Sequence, residues 1–156
     1  MKIICEGIEL SDAVMKVVKA CSVKTTNPVL ECIKITAAND SLELLATDGE
    51  IAIDRKIKAE VLEEGKICVP GKYFSDFIKK LENSQIVMST EEDKLTIRYG
   101  NSESNMQLLN ADDFPAIDMN ISETKFSIPA KDLKELVGKT TFCCAQDDSR
   151  PILKGC

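Results

Sequence analysis

The residues of this chain that could carry chemistry are its cysteines and carboxylates, because the sequence contains no histidine. The absence of imidazole excludes catalytic triads, His-ligated metal sites and imidazole acid–base catalysis. The seven cysteines form no C-x-x-C motif and are odd in number, so we expect reduced, buried small hydrophobic residues, with a redox role or a metal site as alternatives. They stand at positions 5, 21, 32, 68, 143, 144 and 156.

The carboxylates carry no enzymatic signature. Pairs of Asp and Glu are plentiful, but no nucleophile–base constellation, phosphate-binding glycine loop or metal-ligand spacing accompanies them. An enzyme is therefore the least favoured function, and we predict neither a cofactor nor a metal. With seven aromatic residues and no tryptophan, a base-stacking surface for single strands is not expected either.

The composition is that of a soluble globular protein of one domain or slightly more, with 156 residues, 44% of them hydrophobic and 29% charged. No run of 18 apolar residues and no signal pattern is present, which predicts a cytoplasmic protein without a membrane partner. The net charge of −6 argues against a nucleic-acid partner only if the charge is evenly spread.

Three segments have the apolar spacing of amphipathic helices, within residues 9–24, 71–81 and 131–139. Nearly everything else before residue 110 consists of short, often alternating apolar runs separated by turn residues, which predicts strands paired antiparallel. The fold class is therefore α+β, with repeated units of one strand, one helix and antiparallel strands, and with the helices on one face of the sheet.

An internal repeat organises these elements. Shifting the first 33 residues by 123 aligns Asn27-Pro28-Val29-Leu30 with Arg150-Pro151-Ile152-Leu153, and a shift of 59 aligns Val69-Pro70-Gly71-Lys72 with Ile128-Pro129-Ala130-Lys131. A unit of about 60 residues thus begins near residues 1, 65 and 124. The third copy contains only its first strand, its helix and the opening of the next strand. We expect a complete domain at 1–118 and the beginning of a second at 119–156, as in a fragment of a longer protein or an early-ending reading frame.

The charge follows the elements. The helical segments contain nine lysines and five acidic residues, a net of +4, whereas the remaining residues contain 11 basic and 21 acidic residues, a net of −10. Helices that share one side of a sheet would present these lysines away from it and attract phosphate without reading bases. The alternative is an ordinary solvated helix surface with pairs such as Asp12–Lys16 and Asp76–Lys80.

Six short motifs carry a resemblance that covers the whole chain. In order they are Met1-Lys2-Ile3, Asn27-Pro28-Val29-Leu30, Ala46-Thr47-Asp48, Val69-Pro70-Gly71-Lys72, Ala111-Asp112-Asp113-Phe114-Pro115 and Arg150-Pro151-Ile152-Leu153. In this order and spacing the sequence resembles the bacterial replicative sliding clamp, the beta subunit of DNA polymerase III. The resemblance implies a homodimeric ring with three similar domains per subunit, helices lining the hole and sheets at the rim.

The resemblance also implies a function and its residues. The family is non-catalytic; it encircles double-stranded DNA without sequence preference and tethers the polymerase, whose complex is the DNA-directed DNA polymerase. Lys24 and Lys72 match basic DNA-facing positions, and Lys79 is a third candidate. Gln146 matches a polar DNA-proximal position, although the adjacent acids Asp147 and Asp148 argue against a contact there.

Partner sites follow from the same resemblance. Arg150 and Leu153 match one wall of the groove that binds hydrophobic peptides of the polymerase and clamp loader. Leu153 also repeats Leu30, so a core role stays open for it. The strand at 101–108, with Met106 and Leu108, is the expected edge for ring closure. The location would be the cytoplasm, at the nucleoid. The competing function is a clamp-fold protein–protein interaction module that does not encircle DNA.

Overall fold

The computed structural model describes residues 1–81, 85–117, 126–147 and 150–156. It divides into two compact units, the first formed by Met1–Ile117 and the second by Asp118–Cys156. The predicted domain boundary between residues 118 and 119 and the predicted strand start near Lys125 lie outside the described residues. Each unit is therefore considered by itself.

The first unit contains nine strands and two α-helices among its described residues. The strands are β1 (Lys2–Glu6), β2 (Cys32–Ala38), β3 (Ser41–Thr47), β4 (Ala52–Lys58), β5 (Glu60–Glu63), β6 (Gly65–Pro70), β7 (Gln85–Glu91), β8 (Lys94–Tyr99) and β9 (Ser102–Gln107). The helices are α1 (Gly7–Val17) and α2 (Gly71–Ile78), and short 3₁₀ helices span Val18–Ala20, Pro28–Glu31 and Ala111–Asp113.

All of these strands pair antiparallel, in two sheets. One sheet has the order β5-β1-β7-β8-β9 and the other the order β4-β3-β2-β6. The first strand of each sequence repeat thus pairs with strands of the other repeat: β1 joins β7, and β6 joins β2. Because the two repeats exchange their first strands, neither repeat completes its own sheet.

The two helices lie side by side on the four-stranded sheet, α1 against β3 and β4 and α2 against β2 and β6. Leu10, Val14 and Val17 of α1 and Phe74 of α2 are fully buried in one core with residues of both sheets. Burial of this apolar stripe, rather than helix propensity, stabilises such short helices. The α+β class with helices on one face of a sheet is confirmed.

A second, smaller cluster lies where residues 109–117 return to the four-stranded sheet. Phe114 packs with Val29, Cys32 and Cys68, and the Lys34 ammonium lies 5.6 Å from the Phe114 ring centroid. The Leu109 N–H donates to the Cys68 carbonyl at 2.9 Å. The segment is irregular apart from the 3₁₀ helix Ala111–Asp113, and Phe114 anchors it.

The second unit contains α3 (Ala130–Thr140) and two 3₁₀ helices, Thr141–Cys143 and Pro151–Lys154. Each of the three has the bounds of an element in the first unit shifted by 123: α1, Val18–Ala20 and Pro28–Glu31. A hydrogen bond repeats as well, since Ser22 N donates to Leu30 O at 2.9 Å and Ala145 N donates to Leu153 O at 2.8 Å. The sequence repeat therefore encodes one local structure twice.

The second unit departs from the prediction at the expected strand opening. Residues 151–154 form a 3₁₀ helix because, as at Pro28, a proline occupies its first turn. The described residues of α3 are exposed, including Leu133, Leu136 and Val137. Within the described ranges no helix is long and apolar enough to cross a membrane.

Candidate nucleic-acid interface

The three predicted DNA-facing lysines are all exposed on the helical side of the first unit. Lys24 lies in the loop between the two 3₁₀ helices, Lys72 is the second residue of α2, and Lys79 caps the carboxyl end of that helix. The α2 helix presents Lys72 and Lys79 to solvent because Phe74, Ile78 and Gly71 occupy its buried face.

A shallow depression of about 430 Å³ lies between the loop that follows α1 and the start of α2. It is lined by the end of α1 and its following loop (Val18, Cys21, Ser22, Val23), by Glu31, and by the start of α2 (Pro70, Gly71, Lys72, Tyr73, Asp76). Of the three predicted lysines, only Lys72 lines the depression. Lys24 follows the lining residue Val23 in the chain, and Lys79 pairs with the lining residue Asp76.

Ion pairs divide these lysines into two groups. Lys79 Nζ lies 2.5 Å from Asp76 Oδ1, and this contact holds the pKa of Asp76 below its usual value. Lys24 and Lys72 have no carboxylate oxygen within 4 Å among the residues that the structure describes. Their charge is therefore available to an anion, whereas that of Lys79 is already partly neutralised.

Of the two ion pairs predicted on the solvated helix surfaces, one is confirmed and one is wrong. Asp12 and Lys16 form the expected pair at 2.6 Å, and Arg55 approaches the same carboxylate at 3.6 Å. The predicted pair Asp76–Lys80 is wrong, since Asp76 pairs with Lys79 one residue earlier. Positions three and four apart on a helix are both neighbours, and sequence alone does not choose between them.

Sequence reasoning missed Tyr73, which is 69% exposed and stands next to Lys72 in the lining of the depression. Lys19 and Lys80, counted among the basic helical residues, also make no ion pair within 4 Å in the described part of the chain. The signal for Tyr73 was present, because the apolar spacing of α2 runs through Phe74 and Ile78 and leaves residue 73 off the buried face. One exposed ring adds a contact surface but no base-reading edge.

The second unit contains the remaining candidates. Gln146 and Arg150 are exposed, and Asp148 lies outside the described residues. The Leu153 side chain is 51% exposed, while its carbonyl and N–H hold the turn by bonding Ala145 N and Arg150 O. Arg150 directly precedes the 3₁₀ helix Pro151–Lys154, and Leu153 is the third residue of that helix.

The predicted edge strand, β9, is an edge of the five-stranded sheet and, among the described residues, pairs only with β8. Its Met106 side chain, however, is 5% exposed and belongs to the core, so it cannot itself contact another subunit. Alternation along the strand turns Met106 inward and Asn105 and Gln107 outward. Leu108 follows the strand half-buried, with its N–H donating to Asp93 O at 2.8 Å.

The cysteines differ in burial, and Cys144, like Cys21, is half-buried. Cys5, Cys32 and Cys68 are buried as predicted, and burial raises the pKa of Cys5 to about 12. Burial likewise raises the pKa of Cys21, which is half-buried, to about 12. The prediction is wrong for Cys143 and Cys156, which are exposed. No group of three or more potential metal ligands occurs among the described residues.

Comparisons with known proteins agree with this geometry. Residues 1–118 match the family described as the DNA polymerase III beta subunit, N-terminal domain. A beta sliding clamp of Bacillus subtilis is 32% identical over 164 residues, which cover 99% of this chain and 43% of that protein.

Solved structures give the same result. The DNA polymerase III subunit beta of Pseudomonas aeruginosa superposes with a TM-score of 0.91 at 29% identity, over 99% of this chain and 43% of that one. A sliding clamp of the same organism bound to griselimycin gives 0.89 at 29% identity, over 98% and 42%. The chain thus spans about two fifths of the length of the proteins that it matches.

Proposed function

The chain belongs to the family of the bacterial DNA polymerase III beta subunit, and from this premise we propose that it forms part of a replicative sliding clamp. In this proposal the clamp encircles double-stranded DNA and tethers DNA polymerase III, and it acts as a non-catalytic processivity factor at the nucleoid in the cytoplasm. The observation that carries the proposal is the exposure of Lys24 and Lys72 on the helical side, with no carboxylate partner within 4 Å in the described residues.

The electrostatics support loose, sequence-independent contact. Lysine ammonium groups on exposed stems attract phosphate as point charges and lack the fixed fork that reads guanine. The acidic surplus lies on strands and loops, so approach from the other side of the sheets is disfavoured. A sliding protein needs this combination, because tight or base-specific contacts would stop its movement.

A direct test measures binding of this chain to a fluorescent duplex of arbitrary sequence by anisotropy at low salt. We expect weak binding that falls as salt rises, because each phosphate contact releases condensed counterions. Lys24→Glu and Lys72→Glu should each weaken binding several-fold. The matched control is Lys94→Glu, since Lys94 is an exposed lysine at the start of β8 and the change in net charge is the same.

Comparison of the three variants distinguishes an effect of the assigned lysine face on DNA binding from an effect of total net charge. Binding that weakens equally in all three would mean that total charge alone governs it and would contradict the assigned face. Binding that differs strongly between two duplex sequences would contradict a sliding function. Absence of any salt-dependent binding would favour the interaction module that does not encircle DNA.

We further propose that the segment around Arg150 and Leu153 contributes to a groove for hydrophobic peptides of the polymerase and the clamp loader. Both side chains are exposed, and the turn that presents them is fixed by the bond from Ala145 N to Leu153 O. An exposed leucine beside a guanidinium suits a peptide with an apolar side chain and an acidic or polar neighbour. Leu153→Ala should weaken peptide capture without altering DNA binding.

Ring closure by two subunits is assigned in this proposal to the edge strand β9. Its outward residues Asn105 and Gln107 are polar, and its unpaired backbone groups can extend the sheet. Met106 contributes by fixing the strand from inside the core rather than by contact. A proline at Asn105 should therefore impair subunit association more than Asn105→Ala, because it also removes an N–H group.

A further inference from the structure

An exposed thiol, Cys156, and a half-buried thiol, Cys144, approach each other within the second unit. The sulfur atoms of Cys144 and Cys156 are 3.6 Å apart, and the Thr141 hydroxyl lies 3.7 Å from the Cys156 sulfur. All seven cysteines of the chain are free thiols in this structure. The backbone bonds from Ala145 N to Leu153 O and from Leu153 N to Arg150 O close the turn that brings the two positions together.

The internal repeat gives an independent reason for this approach. Cys144 and Cys156 correspond, under the shift of 123, to Cys21 and Ile33 of the first unit. These two side chains abut the same point of α2: a Cβ built on Gly71 would lie 2.7 Å from Cys21 Sγ and 3.2 Å from Ile33 Cγ1. The fold therefore places these two positions side by side in a fully packed copy, where one member is isoleucine and no bond can form.

The two sulfurs are also chemically unlike. The neighbouring Thr140 and Thr141 hydroxyls and the Cys144 thiol stabilise the thiolate of Cys156 and hold its pKa below the ordinary value. The Cys144 thiol has a raised pKa, chiefly through its contact with Cys156. A low-pKa exposed thiol beside a protonated one is the arrangement in which the first reacts with an oxidant and the second resolves the product.

We propose that Cys144 and Cys156 are a redox pair that forms an intramolecular disulfide on exposure to hydrogen peroxide. The Cys156 thiolate attacks one peroxide oxygen, the O–O bond breaks, and a sulfenic acid and hydroxide result. The Cys144 sulfur then attacks the sulfenic sulfur and the S–O bond breaks. Each of the two steps releases one hydroxide ion, and the two hydroxide ions take up the two thiol protons to form water. Two thiols and one peroxide therefore give one disulfide and two waters.

The disulfide would close a loop that contains Arg150 and Leu153. This consequence rests on the proposed function: the reversible disulfide would constrain the segment assigned to partner peptides. The bond itself does not depend on that assignment, because it follows from the two sulfurs and their backbone turn.

The test treats the purified chain with hydrogen peroxide, blocks free thiols and maps peptides by mass spectrometry without reduction. We expect one cross-linked peptide pair joining Cys144 to Cys156, a fall in free thiols from seven to five, and full reversal by dithiothreitol. Cys144→Ser and Cys156→Ser should each abolish the cross-link. Cys143→Ser is the matched control, since Cys143 is an exposed neighbour, and it should leave the cross-link intact.

Three results would overturn the proposal: a cross-link that involves Cys143 instead, oxidation confined to linked dimers, or a cross-link that persists in Cys156→Ser. Circular dichroism of each variant verifies that the fold is retained, and Cys144→Ala provides a second variant at that position. Because the mapping involves neither DNA nor peptide, its failure is distinguishable from a failure of the proposed function.

Discussion

Gly71, the first residue of α2, is in close contact with its neighbours, and this allows a quantitative prediction. A methyl group at this position would lie 2.7 Å from Cys21 Sγ, 3.2 Å from the Glu31 carbonyl oxygen and 3.2 Å from Ile33 Cγ1. The half-buried sulfur is held by its contact with the Cys32 carbonyl oxygen at 3.5 Å, and the Glu31 carbonyl is backbone. Overpacking of this kind costs about 1–3 kcal/mol, and at the first residue of a helix the preference for alanine offsets less than the ~1 kcal/mol of a helix interior.

We therefore expect Gly71→Ala to lower the free energy of unfolding of the first unit by about 1–2 kcal/mol. With a urea m-value of about 2 kcal/mol/M, the unfolding midpoint followed by far-ultraviolet circular dichroism falls by about 0.5–1 M. The matched control is Gly138→Ala in α3, where no atom lies within 4 Å of the added methyl group. That variant should not lower the midpoint.

A double-mutant cycle tests the cause. In Cys21→Ala the sulfur is absent, so Gly71→Ala should cost less in that background than in the native chain, by about 0.5 kcal/mol or more. A midpoint that is unchanged in Gly71→Ala, or a cost that Cys21→Ala does not reduce, would refute the reasoning from close contact.

Three further predictions concern the core, the returning segment and one turn. Phe74→Ala, at a fully buried side chain, should lower the free energy of unfolding by about 3–5 kcal/mol in the same urea experiment, and a loss below about 1 kcal/mol would contradict its place in the core. Phe114→Ala should accelerate hydrogen exchange of the Leu109 amide, which bonds to Cys68, while leaving β8 amides unchanged; equal protection would contradict anchoring by Phe114. The backbone N–H groups of Ile51 and Glu50 hold the pKa of Asp48 below its usual value, so its stabilisation is present above the unfolded pKa of about 3.9 and is lost as pH falls through the lower folded pKa. Asp48→Ala should reduce stability at pH 7 and flatten this acid dependence in urea titrations; an unchanged acid profile would contradict it.

Local patterns predicted much of the structure. The apolar spacing of Leu10, Val14 and Val17 is the buried face of α1, and the shift of 123 found in the sequence reproduces helix bounds and a turn hydrogen bond. These features depend on residues close in the chain, which is why periodicity and repeats reveal them.

The pairing of strands that are distant in the chain could not be predicted from the sequence. The exchange of β1 and β6 between the repeats joins residues far apart in the chain, 87 positions for Lys2 with Ser89 and 34 positions for Lys34 with Cys68. Short alternating strands fit many partners, so their order is decided by global packing. The inward direction of Met106 similarly follows from the register of β9 on β8.

The lysine site was predictable in its composition but not in its electrostatics. The count of lysines on helical segments indicated the face, and Lys24 and Lys72 are both exposed there. Asp76 forms its ion pair with Lys79, and this choice of partner depends on side-chain rotamers. The pair distinguishes Lys79, whose charge is partly neutralised, from the lysines whose charge is available to an anion. Exposure of Cys143 and Cys156 likewise depends on packing that an apolar residue count does not reveal.

The most direct measurement of the central proposal uses a hybrid clamp in which this chain replaces its aligned residues in the Bacillus subtilis sliding clamp. The hybrid is loaded onto nicked circular DNA by the matching clamp loader, and the bound protein is measured before and after the circle is linearised. The sliding-clamp account predicts retention on the circle and rapid loss from the linear molecule, as for the unmodified clamp. Equal loss from both DNA forms, with the unmodified clamp retained on circles, would contradict it.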